Sequence, residues 1–373
     1  MVKEKVILVT GVANEWGGRL AAELLARSRM RMADATAVSE HDGANPYHVI
    51  GVDVEPLEED IEGLDFIQVD IRNPSLPELL KSENVDTVCH LNFKHSYHRS
   101  EQAFDFNVLG TMKVLGACND AGVKKVVMKS STSVYGAHPG NPAFLTEKHP
   151  LRGSKNYGYT RDLVEIASFC SGYCSQPTEM LLTILRFPNI IGTTVDTPMV
   201  RYLSKRPVPV LLGFDPMMQI VHESDVIESL VIAVENERPG IFNVAAEGAL
   251  PLRRIIGLAG RIPVPIFHPF AYIASDVVST ARLPIDRAAP IEWDYLRYPW
   301  VADVTNMRTE MHFEPKYTAE ETLREFKRHQ KLSRYDDDRS TVTGDEDYLR
   351  EIIKLRSELK VRELNSREDA QYE

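Results

Sequence analysis

The chain is poor in cysteine, and no two of its four, Cys89, Cys118, Cys170 and Cys174, stand at the two-residue spacing of a zinc ribbon or a redox motif. That absence argues against a thiolate metal centre and leaves buried thiols in a reducing compartment as the expected state, with Cys170 and Cys174 close enough to share a helix face as packing residues. Basic residues are in deficit too. Forty-three Lys and Arg stand against 54 Asp and Glu, a formal charge of −11, whereas a binder of phosphate backbones needs a net basic surface to displace counterions, so nucleic acid is not an expected partner. No uninterrupted apolar run is long enough to span a bilayer. The opening MVKEKVILVTG enters a strand pattern at once, which leaves no room for the apolar core of a signal peptide, and a cytoplasmic protein is expected.

What is present suits a large core. With 373 residues and 43% apolar content, the chain can support a nucleotide domain and a smaller second domain. Short apolar runs alternate with helical patterns through the first half, which is the mark of a parallel sheet covered by helices. Strands are expected at Lys5 to Thr10, His48 to Asp53, Phe66 to Asp70, Thr87 to Leu91, Val126 to Ser130 and Leu182 to Arg186. Helices are expected near Gly17 to Ala26, Leu76 to Ser82, Glu101 to Ala121 and Tyr157 to Tyr173. The fold class is therefore α/β, a doubly wound parallel Rossmann sheet over residues 1–190 completed by later segments at about 215–250.

From about Gly192 the pattern shortens and proline accumulates, in RPVPV from Arg206 and RIPVPIFHP from Arg261. This marks a smaller α/β substrate lobe over 191–330, interleaved with the end of the sheet. Residues 331–373 read as a charged linker, SRYDDDRS from Ser333, followed by a tail helix with Tyr348, Ile352, Leu355 and Leu359 at helical spacing. Thr343 and Glu346 stand three apart, as in a capping box, and such a helix would dock on its own chain or on a partner.

The first strand runs into TGVANEWGGRLAAELL, where Gly11 and Gly17 bracket a turn that opens a helix, an arrangement able to offer N–H groups to a pyrophosphate. A plain strand-to-helix turn has the same form. Asp53 ends the second strand, where a carboxylate accepts from adenosine ribose hydroxyls and repels a 2′-phosphate, which favours NAD over NADP. The segment SRMRMADATAVSEHDGANPY, from Ser28, exceeds the usual spacing to this acid and is expected to form an added loop. Asp70 and Ile71 close the third strand, at the adenine edge. Either acid could equally cap a turn.

Taken in order, these motifs resemble the NAD-dependent epimerase/dehydratase family, the extended short-chain dehydrogenases. After the glycine turn and Asp53 come Asp70-Ile71, His90-Leu91, NVLGT from Asn107, KSSTSVYG from Lys129, YGYTR from Tyr157, LRFPNIIG from Leu185, IVHESDV from Ile220, GIFNVAAEG from Gly240 and DVTNMRTEMHFEPKYT from Asp303. The resemblance covers about residues 3 to 326. It implies NAD as cofactor, held by Gly11, Asn14, Trp16, Gly17, Asp53, Asp70, Ile71, Leu91, Asn107, Tyr157, Arg161 and Pro188. It implies catalysis by Ser131, Tyr157 and Arg161, and a substrate met by Ser131, Thr132, Asn189, Met218 and His222, with no metal. It also implies a homodimer through the helices at Glu101 to Ala121 and Tyr157 to Tyr173.

The chain departs from the family at two places. The lysine of YxxxK is Arg161, one turn from Tyr157 on the same face; a cation there lowers the phenol pKa and binds the nicotinamide ribose, but a guanidinium is planar and cannot relay a proton. The central glycine of the turn is Asn14, followed by Glu15 and Trp16. Substrate signals differ as well. Thr132 and Ser133 stand where dehydratases carry an Asp-Glu pair, and Met218-Gln219 stand where sugar-nucleotide epimerases carry an Arg-Asp pair that holds a diphosphate. The aromatic and apolar residues Ile266, Phe267, Phe270, Tyr272, Ile273, Trp293, Tyr295 and Tyr298 form either core or the lining for a substrate less polar than a sugar nucleotide. His95 and His98 follow the fourth strand, either lining the nicotinamide pocket or lying on a surface loop. The leading expectation is an NAD-dependent oxidoreductase or epimerase-like enzyme acting on a hydroxyl or keto group. A non-catalytic dinucleotide-binding sensor or scaffold and a sugar-nucleotide epimerase with an unusual diphosphate site are the alternatives.

Overall fold

The computed structural model describes residues 4–37, 46–174, 179–267, 269 and 291–337, with isolated positions of the tail at 349–350, 353–354 and 357. The nucleus is the strand KVILVT, β1 (Lys5–Thr10), whose last four residues are all buried. A run of this kind, without polar alternation, is what a strand covered on both faces requires. The chain continues through α1 (Glu15–Ala37), β2 (Tyr47–Asp53), β3 (Asp65–Gln68), α2 (Leu76–Ser82) and β4 (Thr87–His90). Next come α3 (Glu101–Phe104), a π turn over Asp105–Leu109, α4 (Gly110–Ala121), β5 (Lys125–Ser131), α5 (Gly158–Cys174), β6 (Leu181–Phe187) and β7 (Asn189–Ile191). The later part holds α6 (Pro198–Ser204), β8 (Val208–Leu211), β9 (Met217–Met218), β10 (Ile220–His222), α7 (Glu223–Glu235), β11 (Gly240–Asn243), β12 (Leu250–Pro251), α8 (Leu252–Leu258) and β13 (Pro263–Ile266). The described elements close with α9 (Thr305–Thr309) and α10 (Ala319–Asp337).

Seven strands form one sheet in the order β11-β6-β5-β4-β1-β2-β3, every pair parallel. The order reverses between β1 and β4, and a doubly wound sheet opens a crevice beyond the carboxyl ends of its strands at such a switch point. Two clusters of buried side chains cover the faces, one built around Ile7, Val9, Leu20, Leu24 and Leu230, the other around Leu8, Ile50, Val88, Leu115 and Val126. A third cluster gathers Tyr135, Tyr202, Leu211, Ile255 and Phe326 away from the sheet.

A buried polar network ties the late chain to the sheet edge. The Tyr135 hydroxyl donates to Asn243 Oδ1 at 2.7 Å and accepts from Arg186 Nη1 at 2.9 Å, while Asn243 Nδ2 donates to the carbonyls of Leu145 and Asp303 at 3.1 and 3.0 Å. Both side-chain polar atoms of Asn243 are thereby paired within the protein, as deep burial demands. No described helix is long and apolar enough to cross a membrane.

Three expectations need correction. The segment from Ser28 is not wholly loop, because α1 continues through Ala37; helix-forming Arg, Met and Ala residues carry it on. The third strand ends at Gln68, so Asp70 lies in the turn beyond it. The charged linker from Ser333 begins as helix, since α10 runs to Asp337; its start is fastened by a capping box in which Thr318 and Glu321 exchange bonds of 2.9 and 3.3 Å. Thr343, Glu346, Tyr348, Ile352, Leu355 and Leu359 lie outside the described residues, as do Phe270, Tyr272 and Ile273.

Candidate functional site

Gly11 leaves β1 with a φ of +81°. A Cβ on Gly17 would stand 2.1 Å from the Gly11 carbonyl oxygen, so the turn and the helix can meet this closely only at glycine. Asn14 sits between them. Its Oδ1 accepts the N–H groups of Trp16 and Gly17 at 3.2 and 3.1 Å, and its Nδ2 donates to the Leu91 carbonyl at 3.3 Å. The residue that replaces a glycine is therefore the N-cap of α1 and a tie between the turn and the end of β4.

Asp53 is buried beneath the turn, its Oδ2 accepting from the Ala13 N–H at 3.0 Å and its Oδ1 from the Val54 N–H at 2.7 Å. Asp70 is engaged by Arg72 through bonds of 2.6 to 3.2 Å that hold its carboxyl below the usual range, and Ile71 is fully buried. Asn92 Nδ2 is buried with no hydrogen-bond partner among the described residues, and the Asn92 backbone lies 2.9 Å from where a Gly11 Cβ would be. An orphaned donor at the point where β1 and β4 diverge suits a ligand oxygen. The open turn, the helix N-terminus, the acid at the end of β2 and this donor together fit an NAD-type dinucleotide.

A cavity of about 330 Å³ opens beside the turn, at the carboxyl ends of the central strands. Ser131 and Tyr157 both line it. Ser131 Oγ accepts the Ser133 N–H at 3.1 Å, so its proton can be offered to a ligand oxygen. The Tyr157 hydroxyl lies 3.5 Å from His95 Nε2, and the Tyr97 ring packs edge-on at 4.6 Å. Burial pushes the Tyr157 phenol well above its ordinary value; Tyr97 and Glu292 add to this, and the Arg201 guanidinium opposes it.

Arg161 does not line the cavity. Its Nε and Nη2 donate to Asp162 Oδ1 at 2.9 and 2.6 Å, Nη2 also reaches the Ser100 carbonyl at 3.3 Å, and the guanidinium stacks 4.9 Å from the Phe104 ring. Asp162 is completely buried, and its other oxygen accepts from Asn107 Nδ2 at 2.9 Å. A buried carboxylate needs a counter-ion, and Asp162 takes the adjacent cation for itself.

The positive charges that do line the cavity are Lys129 and Arg201. Lys129 Nζ stands 5.0 Å from the centre of the Trp16 ring; burial lowers its pKa to about 8, with the Glu15 carboxylate pulling the other way. Arg201 Nη1 pairs with Asp196 at 3.2 Å, and its Nε is buried without a partner among the described residues. Glu292 also faces the cavity, its Oε2 buried and unpartnered among the described residues. Burial pushes the Glu292 carboxyl up to about 7, against a hydrogen bond from Ser154.

Of the other expected residues, Asn14, Trp16, Leu91, Pro188 and Asn189 line the cavity, and so does His95. Gly11, Gly17 and Asp53 lie in and under the turn. Asn107 braces the loop that carries His95, bonding the Lys94 N–H and carbonyl at 2.8 and 2.9 Å. Thr132, Met218 and His222 are not brought to the cavity. Thr132 and Met218 are buried in the packing, and His222 caps α7 through the Ser224 N–H while its ring stacks 3.9 Å from Tyr317. His98 is exposed and lines nothing in the cavity. Lys129, Arg201 and Glu292 were not anticipated. Lys129 lies inside KSSTSVYG and could have been suspected from a charge in the last residues of a buried strand, whereas nothing in their local pattern marks Arg201 or Glu292.

The sequence pattern of the NAD-dependent epimerase/dehydratase family matches residues 7–245. An uncharacterized protein of Mycobacterium tuberculosis (strain ATCC 25618 / H37Rv) is 32% identical over 332 residues, spanning 86% of this chain and 83% of its own length. UDP-glucose 4-epimerase 4 of Oryza sativa subsp. japonica is 28% identical over 223 residues, 58% of this chain and 57% of that one. Among solved structures, MoeE5 in complex with UDP-glucuronic acid and NAD superposes with a TM-score of 0.65 at 22% identity, covering 88% of this chain and 99% of that one. The UDP-glucose 4-epimerase of Thermotoga maritima with UDP-glucose gives 0.63 at 17% identity, covering 88% and 99%. Both structural likenesses speak for the fold.

Proposed function

From the premise that this chain belongs to the NAD-dependent epimerase/dehydratase family, whose cofactor is NAD, we propose that it is an oxidoreductase or epimerase-like enzyme acting on a hydroxyl or keto group. The observation that carries the reading is the convergence of Ser131 and Tyr157 on one cavity beside the dinucleotide turn. NAD, when bound, supplies the hydride acceptor or donor. Gly11, Asn14, Gly17, Asp53 and Asn92 would hold it.

The chain's own groups handle the proton. Ser131 donates a hydrogen bond to the substrate oxygen. Tyr157, kept neutral by burial, donates its phenolic proton to a keto oxygen or accepts one from a hydroxyl, and His95 at 3.5 Å connects it with solvent. Glu292 titrates near neutrality and is the second group in the cavity able to exchange a proton. Phe187, Tyr295 and Trp300 give the cavity apolar walls, which supports a substrate less polar than a sugar nucleotide whose polar group meets Arg201. The lobe over 191–330 is read as the substrate domain, a homodimer through α3 to α5 as the assembly, and the cytoplasm as the location.

The test is a panel of secondary alcohols mixed with protein and NAD and followed by NADH absorbance. One alcohol is expected to be oxidised, and Tyr157→Phe is expected to lower its kcat by about 10² to 10⁴. Turnover untouched by Tyr157→Phe would sink the assignment. The diverted Arg161 favours a second reading, a non-catalytic dinucleotide sensor, which predicts NAD binding without turnover of any alcohol. The likeness to the rice UDP-glucose 4-epimerase supports a third; it is rejected when UDP-sugars with NAD give no thermal shift.

A further inference from the structure

Lys129 lies in β5 two residues before Ser131, the strand's last residue, and its ammonium lies over the indole of Trp16 in the first turn of α1. It thus stands where the strand bearing Ser131 meets the dinucleotide turn. Its Nζ makes no hydrogen bond or salt bridge among the described residues; Trp16 offers only its ring face, and Glu15 acts through space. The other cation of the cavity, Arg201, is paired with Asp196. Arg161 is spent on Asp162 and the Ser100 carbonyl. An ammonium on a flexible stem, with three donors and no acceptor, is an under-satisfied charge beside the place where an anionic dinucleotide would lie.

We propose that Lys129 supplies the positive charge toward bound NAD that Arg161 was expected to supply, its ammonium meeting the anionic and hydroxylated part of the dinucleotide, and that Arg161 takes no part in binding. The inference rests on the reading that this chain binds NAD. The ionisable groups that share the cavity with Lys129 are Glu15 at the start of α1, Tyr157 and Tyr159 on the α5 side, His95 on the loop after β4, and Asp196, Arg201, Glu292 and Tyr295. Glu15 is the one whose charge bears on it directly. The amine is charged below about pH 8 and loses its proton above, so attraction for the diphosphate weakens as pH rises from 7 to 9. Burial raises the Glu15 pKa, so its opposition fades sooner on acidification than that of an ordinary carboxylate.

The experiment is calorimetric titration of the full chain with NAD at pH 7 and pH 9, for the natural protein, Lys129→Met, Lys129→Arg and Arg161→Met. Circular dichroism confirms that each variant is folded, and Arg161→Gln serves if Arg161→Met is not. The natural protein is expected to bind several-fold more weakly at pH 9 than at pH 7. Lys129→Met should lose about tenfold at pH 7, the worth of one charge-assisted contact, and lose the pH dependence with it. Lys129→Arg should bind equally at both pH values, because a guanidinium stays charged. The Arg161 variant should bind as the natural protein does. Natural affinity and pH dependence in Lys129→Met overturn the inference, and so does an equal loss in a folded Arg161 variant. Absence of NAD binding by the natural protein at both pH values overturns the NAD reading itself, and the inference with it.

Discussion

Glu292 holds a carboxyl that folding makes harder to ionise. Its pKa rises to about 7 in the folded protein, chiefly through burial, from an ordinary value near 4.5. Between those two values the folded state holds a proton that the unfolded chain has released, so stability falls as pH rises through this window and levels off above about 7. Glu292→Gln removes the titration. In urea denaturation, the variant is expected to gain on the natural protein by on the order of 1–3 kcal/mol between pH 5 and pH 8. Parallel curves for the two proteins would show that Glu292 ionises normally. The same residue-scale logic explains Arg161. Helical spacing put its cation beside Tyr157, but the neighbouring carboxylate is the buried Asp162, whose other oxygen accepts from Asn107, 55 positions away. Local spacing cannot register that competition.

At the scale of elements, Glu223 shows the opposite sign. It opens α7 and joins it to α1 through Arg19 at 2.8 Å, while Thr193 and Thr194 after β7 donate to it at 3.0 and 2.8 Å. Gly192 makes room, since a Cβ there would lie 2.1 Å from the carboxyl carbon. Burial alone would raise the Glu223 pKa, but the hydrogen bonds from Arg19 and Thr194 outweigh it and hold the carboxyl below its ordinary value. Its stabilisation is present above the unfolded pKa and is lost as pH falls through the folded one. Glu223→Gln should cost about 1–3 kcal/mol at neutral pH, and that gap should narrow as acidification below the ordinary value of 4.5 protonates the folded carboxyl. A gap independent of pH would assign the cost to packing.

Elements were also the most legible part of the sequence. The six expected strands lie within two residues of the observed ones because each is a short apolar run cut off by polar or turn residues. Only the third had its end misplaced in a way that mattered. The exact end of α1 was not legible, because Arg, Met and Ala residues carry the helix on beyond the apolar stripe, and no proline or glycine stops it before Ala37.

For the whole molecule, a ligand that binds only the folded state stabilises it by mass action. NAD at a hundred times its Kd should add about 2.7 kcal/mol to the unfolding free energy. NADP at the same concentration should add clearly less, because the buried Asp53 carboxylate beneath the turn repels a 2′-phosphate. Differential scanning fluorimetry with the two cofactors reads this directly. Equal shifts would remove Asp53 from cofactor selection.

The missing cysteine pairs, the deficit of basic charge and the absence of long apolar runs set expectations before any motif was read, by arguing against a thiolate metal centre, a binder of nucleic acid and a bilayer-spanning segment. The ordered motifs then determined the sheet, the dinucleotide turn and the pair Ser131 and Tyr157, since all of these depend on residues close together in the chain or at the ends of regular strands. Which cations reach the cavity was decided by tertiary structure alone. Arg161 is claimed by a buried carboxylate, Lys129 is left over Trp16, and Arg201 and Glu292 arrive from segments 44 and 135 residues beyond Tyr157. Charges are allotted by desolvation and distance in three dimensions, and neither quantity is written in the spacing of residues along a chain.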